Sequence, residues 1–367
     1  MRIGIDARLT HYRSAGISRY TLQLIKALAK LRSGDEFTVL QSYHSRQPLV
    51  TEEGFDTRRI LTPSHHRLEQ LTLPLEVSFL KLDLLHSPDF IPPLRAKCKS
   101  VITVHDLNFM LYPHFMTKES ARYYGQIDQA VRRADAIIAV SNATKRDTVR
   151  LLGVDEKRIT VIYEAASSYF QPMDRREAKR RITHRFGVDR DFLLFVSTIE
   201  PRKNIPNLLR AFRLLLDEYH TDTSLVLAGA KGWLFEDVFH LVEELDLADK
   251  VHFLGRVSTE ELLWLYNGAR ALVAPSFYEG FGLTPLEAMA CGTPVVVSDV
   301  SSLPEIVADA GLTAPPDDPD AIAAATWRLL SDETLWASLS DKGLKRAACF
   351  SWDKAAEETL ALYHSVA

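Results

Sequence analysis

Glu279 and Glu287 lie eight positions apart around a glycine-rich turn, in the run Ser276-Phe277-Tyr278-Glu279-Gly280-Phe281-Gly282-Leu283-Thr284-Pro285-Leu286-Glu287. An ionised carboxylate only accepts hydrogen bonds, so such groups grip the hydroxyls of a sugar well. Gly280 and Gly282 leave the backbone bare where a ligand must come close, and the amides that open a helix point at whatever binds there. Thr284, Pro285 and Glu287 spell a helix start: cap, first-position proline and capping-box glutamate. Gly292 then ends that helix, and Thr293-Pro294 prevents its continuation. The pattern is a phosphate cradle flanked by two hydroxyl acceptors, which suits a nucleotide sugar. Plainer readings stand beside it. Glu287 is fully explained as a capping residue, and Glu279 as a complement to the helix dipole, although it would then compete with the anion.

Other residues of the right type fall at strand ends. Arg202 and Lys203, in Ile199-Glu200-Pro201-Arg202-Lys203-Asn204, follow a strand and open a helix. Two fixed cations there can neutralise the charge that develops on a departing diphosphate; otherwise they form an exposed basic loop. His105, in Val104-His105-Asp106-Leu107, ends a strand of the first half. It is read either as a satisfied structural histidine or as a group facing the ligand, with Asp106 orienting the ring or capping the next segment. Gly16 joins the first strand to the first helix, and Arg19 and Tyr20 beside it suit packing or acceptor contacts. Gly255-Arg256-Val257-Ser258 follows a further strand, and Ser258 with Glu261 forms a capping box. Asp189-Arg190-Asp191 has a metal-binding spacing but precedes a strand in a linker, and no His/Asp/Glu cluster has metal-ligand spacing, so no metal is expected.

The elements that must carry these residues alternate between short apolar strands and helical stretches, which argues for parallel sheets in α/β units. Strands are predicted at Ile3–Ile5, Phe37–Leu40, Leu84–His86, Val101–Val104, Ala136–Val140 and Ile159–Ile162. Helices are predicted around Ile17–Leu31, Glu119–Arg133 and Asn142–Leu152, the last capped by Ser141. After the basic stretch Asp174–Arg185 the pattern restarts at Phe192–Val196, Leu225–Ala228, Val251–Leu254, Leu272–Val273 and Val295–Val297. Two doubly wound domains follow, 1–172 and 173–349, with the ligand expected in the cleft between them at the carboxyl ends of the strands. The basic stretch is read as a solvated helix face, with attraction to anionic lipid as the alternative. The leucine-rich segment Arg67–Leu85 is read as an internal helix and strand, with an acceptor- or membrane-facing helix as the alternative.

The 367 residues suffice for roughly two domains. Hydrophobic residues at 46% and charged residues at 25% are ordinary for a globular protein. A formal net charge of −4 argues against general nucleic-acid binding. Cys98, Cys291 and Cys349 are scattered and give no disulfide framework, which fits a reducing cytoplasm. The chain opens directly on a strand, so no signal peptide is expected, and no apolar run is long enough to span a bilayer. Any membrane contact is therefore expected to be peripheral, on the inner face.

With Glu279-Gly280-Phe281-Gly282-Leu283 and Glu287, several segments in order resemble the retaining glycosyltransferases of family 4, which have the GT-B fold of two Rossmann-like domains facing each other across a cleft. The resemblance covers nearly the whole chain. It implies that Glu279 faces the donor sugar, that Glu287 holds the nucleotide ribose, and that the backbone from Gly280 through Phe281, Gly282 and Leu283 to Thr284 meets the diphosphate. Lys203, in a segment similar to the family's Pro-Arg-Lys-Asn, is implied at the phosphates with Arg202. At Ser197-Thr198 the chain departs from a common family version that carries a glycine and an arginine. His105 resembles the family's histidine near the donor sugar and reaction centre, and Gly16 its glycine loop under the donor phosphates. Arg256 and Val257 lie in the loop that meets the nucleobase in that family. The tail 350–367 looks like the final helix that packs back on the first domain.

The expected activity is retaining transfer of an α-linked hexose from a nucleotide diphosphate to a hydroxyl of a glycan or lipid-linked acceptor, with no cofactor beyond the donor. Similarity to polysaccharide-assembly mannosyltransferases points to GDP-mannose, with UDP-glucose or another UDP-sugar as alternative donor. A non-catalytic sugar-nucleotide-binding subunit is the alternative of another class. A NAD-dependent dehydrogenase is weaker, since Gly280–Pro285 lacks the third glycine of the dinucleotide fingerprint.

Overall fold

The computed structural model describes residues 1–12, 16–66, 68–113, 124–232 and 236–366. The chain divides into two compact units, Met1–Glu164 with Ser351–Ala367, and Ala165–Phe350.

The first unit holds β1 (Arg2–Asp6), β2 (Glu36–Ser42), β3 (Phe55–Ile60), β4 (Leu84–Ser87), β5 (Lys99–Val104), β6 (Ala136–Ala139) and β7 (Ile159–Val161). All pair in parallel, in the order β3-β2-β1-β4-β5-β6-β7. Ile5 lies opposite Val39 on one side and His86 on the other. The central strands are apolar runs because both sheet faces are covered. Gly16–Leu31 covers one face, turning Tyr20, Leu24 and Leu28 inward at four-residue spacing. Trp352–Val366 joins the same core through Ala355, Ala356 and Tyr363. There the Tyr363 hydroxyl meets the buried His86 Nδ1 at 2.6 Å. Ser141 caps Asn142–Leu152 through its Oγ, which accepts from the Thr144 amide at 3.0 Å. Of the predicted helix at 119–133, residues 119–123 lie outside the described residues; Ile127–Arg133 is helical.

The second unit holds β8 (Phe192–Val196), β9 (Ser224–Ala228), β10 (Val251–Gly255), β11 (Ala271–Ala274), β12 (Val295–Ser298) and β13 (Leu312–Ala314), again parallel, in the order β10-β9-β8-β11-β12-β13. In each unit the winding reverses beside the first strand, between β1 and β4 and between β8 and β11. The loops that leave neighbouring strands part company there, and a crevice opens at the carboxyl ends.

Three expectations are corrected here. The units divide at Glu164–Ala165 rather than at 172–173. The connecting segment belongs to the second unit because the Met173 amide donates to Asn267 Oδ1 at 2.8 Å, Asn267 Nδ2 donates to Gln171 O at 3.1 Å, and Phe170 packs on Tyr266. Edge strands β3 and β13 were not predicted. The leucine-rich segment is internal only in part: β4 buries Leu84 and Leu85, and helix Glu69–Ser78 buries Leu73 and Val77 but exposes Leu71 and Leu75, while Arg67 lies outside the described residues.

The basic stretch forms helix Arg175–Phe186, capped by Asp174 and buried through Ala178 and Ile182. Its cations meet nearby carboxylates: Arg181 with Glu177 at 2.7 Å, Arg185 with Glu261 at 2.6 Å, and Lys179 with Asp191. This supports the solvated-face reading and gives Asp191 a structural partner. No helix among the described residues is long and apolar enough to cross a membrane.

Candidate active site

Two loops of the second unit meet at its switch point. The loop after β8 tightens into a short 3-10 turn, Pro201–Lys203. Asn204 ends it with φ 57°, and its buried side-chain Nδ2 donates to Pro275 O at 2.9 Å, tying this loop to the one after β11. The tie is repeated where the Phe277 amide donates to Arg202 O at 2.9 Å.

Arg202, Lys203 and Glu279 come together as a result. Lys203 Nζ donates to Glu279 Oε1 at 2.6 Å, and Arg202 Nη1 to Glu279 Oε2 at 3.0 Å. Arg202 also donates to Tyr278 O at 2.8 Å and, through Nη2, to Glu200 Oε1 at 2.7 Å. Ser276 Oγ donates to Glu279 Oε1 at 2.7 Å, while the Glu279 amide donates to Ser301 Oγ at 3.0 Å. Burial alone would push the Glu279 carboxyl up. The charges of Lys203 and Arg202, with hydrogen bonds from Lys203 and Ser276, outweigh it and hold this carboxyl at about 2.

Helix Leu283–Ala290 starts one residue before the predicted cap. Gly282 turns the chain with φ 110°, a conformation that disfavours any side chain, and an added Cβ would stand 2.9 Å from Leu303 Cδ2. Thr284 is therefore already inside the first turn, and no side chain caps the helix start. That leaves the first amides for an anion. Glu287 is likewise not a capping-box residue. It is buried, and its Oε2 accepts from the Tyr266 hydroxyl at 2.8 Å. Ser302 Oγ fixes the intervening turn by donating to Glu279 O at 2.9 Å and Phe281 O at 2.7 Å.

Arg256 is exposed and Val257 half-buried after β10, two strands away from β8, so the structure does not bring them into the Arg202–Glu279 cluster. The capping box of Ser258 and Glu261 beside them is present. In the first unit, His105 ends β5. Its Nδ1 lies 3.0 Å from Glu164 Oε1 and its Nε2 2.9 Å from Pro88 O, and Tyr20 packs edge-on at 4.7 Å. Two acceptors at two nitrogens call for two N–H donors. Burial lowers the His105 pKa, but the Glu164 hydrogen bond and charge more than restore it, so it is raised. Glu164 orients the ring; Asp106 instead accepts from the Asn108 amide at 3.0 Å. Gly16 opens its helix, with open space where a Cβ would stand, next to residues outside those described.

Glu200, Ser276, Ser301, Ser302 and Tyr266 were not predicted. Only Glu200, two residues before Arg202, carried a signal. Gly229 was also missed. It has φ 154°, and an added Cβ would lie 1.8 Å from Ser197 O, so the loop after β9 lies directly against the loop after β8.

Two Rossmann-like units, one with paired cations, carboxylates and an uncapped helix start at its switch point, define a two-domain enzyme class that places ligands at strand ends. Residues 174–346 match the family model for glycosyl transferases group 1, and residues 14–166 that for glycosyltransferase family 4. The chain is 34% identical over 383 residues to O-antigen chain mannosyltransferase B of Escherichia coli, covering 99% of each. It is 30% identical over 398 residues to D-inositol 3-phosphate glycosyltransferase of Kineococcus radiotolerans, covering 95% of this chain and 90% of that one. Sucrose-phosphate synthase from Thermosynechococcus elongatus shares the fold with a TM-score of 0.81 at 23% identity, over 100% of this chain and 98% of that one. Anabaena HepE in complex with UDP and glucose does so with a TM-score of 0.77 at 19% identity, over 100% of each. The chain belongs to glycosyltransferase family 4 and has the GT-B fold.

Proposed function

We propose that this glycosyltransferase is a retaining hexosyltransferase that moves mannose from GDP-mannose to a hydroxyl of a glycan or lipid-linked acceptor, forming an α-linkage. The observation that carries the reading is the convergence of Lys203 and Arg202 on Glu279 beside the uncapped start of Leu283–Ala290. A diphosphate at the backbone of Gly280–Thr284 draws both cations toward itself, which releases the Glu279 carboxylate to the hydroxyls of the sugar. Glu287 takes the ribose. By the family resemblance, His105 and Gly16 are assigned to the donor sugar and phosphates, and Arg256 and Val257 to the base.

The acceptor oxygen bonds to the anomeric carbon as the bond from that carbon to the diphosphate oxygen breaks. The acceptor proton passes to the departing diphosphate on the same face. Lys203 and Arg202 stabilise the charge that develops, so the protein supplies electrostatics rather than a nucleophile, and no metal is required. Mannose is favoured because full-length similarity is to an O-antigen chain mannosyltransferase. The UDP and glucose bound by the fold neighbour favour a UDP-sugar as the second reading. A non-catalytic sugar-nucleotide-binding subunit is the reading of another class. The site of action is cytoplasmic, at the inner face of the membrane.

Incubation with GDP-mannose and a mannose-terminated oligosaccharide, followed by GDP release and the one-bond C–H coupling of the new anomeric carbon, tests this. GDP release with an α-linkage is expected. A β-linkage contradicts retention, and release from UDP-glucose alone moves the assignment to the second reading. Donor binding without release across a broad panel of acceptors favours the subunit.

A further inference from the structure

We infer that helix Glu69–Ser78 and its flanks form a docking face for an anionic membrane surface. This helix is apolar on two opposite faces. Leu73 and Val77 point inward, into a cluster with Leu40, Ile60, Leu85 and Ala96. Glu69 is also buried, tied to the buried Arg8 guanidinium at 2.5 Å, so the rotation of the helix about its axis is fixed. On the other side, Leu68, Leu71, Leu75 and Phe79 fall within an arc of roughly 80° opposite Leu73, at about 100° per residue. They are 51%, 55%, 64% and 82% exposed. Leu61, just past β3, is 68% exposed and joins them, its amide donating to Glu76 Oε2 at 2.8 Å. Single exposed leucines need no explanation, but a continuous stripe along one helix does.

Charge decides what covers the stripe. Exposed cations lie on the segments that continue from it and pack beside it: Lys81 just past the helix, and Arg95 and Lys97 on the loop whose Leu94 amide donates to Gln70 Oε1 at 3.0 Å. The nearby acids are engaged. Glu76 accepts from the amides of Leu61 and Thr62, and Asp56 pairs with Arg58 at 2.9 Å. Apolar side chains within a basic rim match hydrocarbon beneath anionic headgroups. A second copy of the chain, packed by two-fold symmetry, would bring the same basic rim against itself.

Vesicle flotation tests this without turnover, so it stands or falls apart from the donor assignment. The full chain and a Leu71→Gln/Leu75→Gln/Phe79→Gln variant are floated with vesicles of phosphatidylcholine alone and with vesicles containing phosphatidylglycerol. The wild type should float with the anionic vesicles, and the triple variant should partition at least ~10-fold less while keeping its melting temperature. Arg95→Glu/Lys97→Glu should lose the preference for anionic over neutral vesicles. Equal flotation of wild type and triple variant overturns the proposal, as does a wild type that binds neither vesicle. A wild-type dimer in sedimentation that the triple variant lacks also overturns it, making the stripe a self-contact.

Discussion

At the scale of single residues, the account rests on a carboxylate held ionised by two cations that a ligand can redirect. Lys203→Ala removes the closer of them, 2.6 Å from Glu279. Turnover is expected to fall about 10²–10³-fold, as when one stabilising group is lost from a developing oxyanion; steady-state kinetics of donor consumption check it. The same cluster sets a pH dependence. The Glu279 carboxyl is depressed from 4.5 to about 2, so its contribution to stability is full above 4.5 and is lost as pH falls toward 2. Urea unfolding between pH 5 and pH 3, values chosen to bracket the usual carboxylate range of roughly 4, should show a shallower loss of stability in Glu279→Gln than in the wild type. Parallel loss in both would remove Glu279 as a contributor. Glu279 was legible in the sequence because a charged group beside a glycine turn has few other uses, and Lys203 because its Pro-Arg-Lys-Asn segment is similar to the family's. Ser276, Ser301, Ser302 and Tyr266 were not, because a hydroxyl that holds a turn or a carboxylate looks like any other hydroxyl until the chain has folded.

At the scale of elements, the site depends on how closely loops from different strands approach. Gly229 sits where an added Cβ would be 1.8 Å from the Ser197 carbonyl oxygen, and backbone cannot yield as a flexible side chain can. Gly229→Ala should therefore cost more than about 3 kcal/mol. Gly16→Ala, with nothing within reach of the new methyl, should stay within about 0.5 kcal/mol. Urea titrations of the two variants compare them directly. The central strands were legible because burial on both faces writes uninterrupted apolar runs such as Leu193–Phe195 and Val295–Val297. β3 was not: Phe55-Asp56-Thr57-Arg58-Arg59-Ile60 is an edge strand, and its charges read as loop. β13 has three residues and leaves too short a pattern. The helix at Leu283–Ala290 was found but its start misplaced by two residues, because Gly282 in a left-handed conformation precedes it where Thr284 had the better capping chemistry.

At the scale of the whole molecule, two units of one chain carry separate cores, and the first is closed by residues from the far end of the sequence. Ala355, Ala356 and Tyr363 belong to the core of Ile3, Tyr20 and Leu24. A chain ending at Phe350 should lose hydrogen-exchange protection in β1, β2 and β4 while β8, β9 and β11 keep theirs. Equal loss in both units would show that they fold as one. The fold class and the restart of the strand pattern were legible because each unit repeats the same alternation. The boundary was misplaced because Gln171 and Met173 attach to the second unit through Asn267, a contact that leaves no mark on local composition.

The most direct test of the donor site is the thermal shift of wild type and Lys203→Ala with GDP-mannose, UDP-glucose and NAD, each with and without a chelator. GDP-mannose at about 100 times its Kd should stabilise the wild type by about 2.7 kcal/mol with or without chelator, and Lys203→Ala much less. No shift with either sugar nucleotide, or an undiminished shift in Lys203→Ala, would contradict the site as built from Lys203, Arg202 and Glu279.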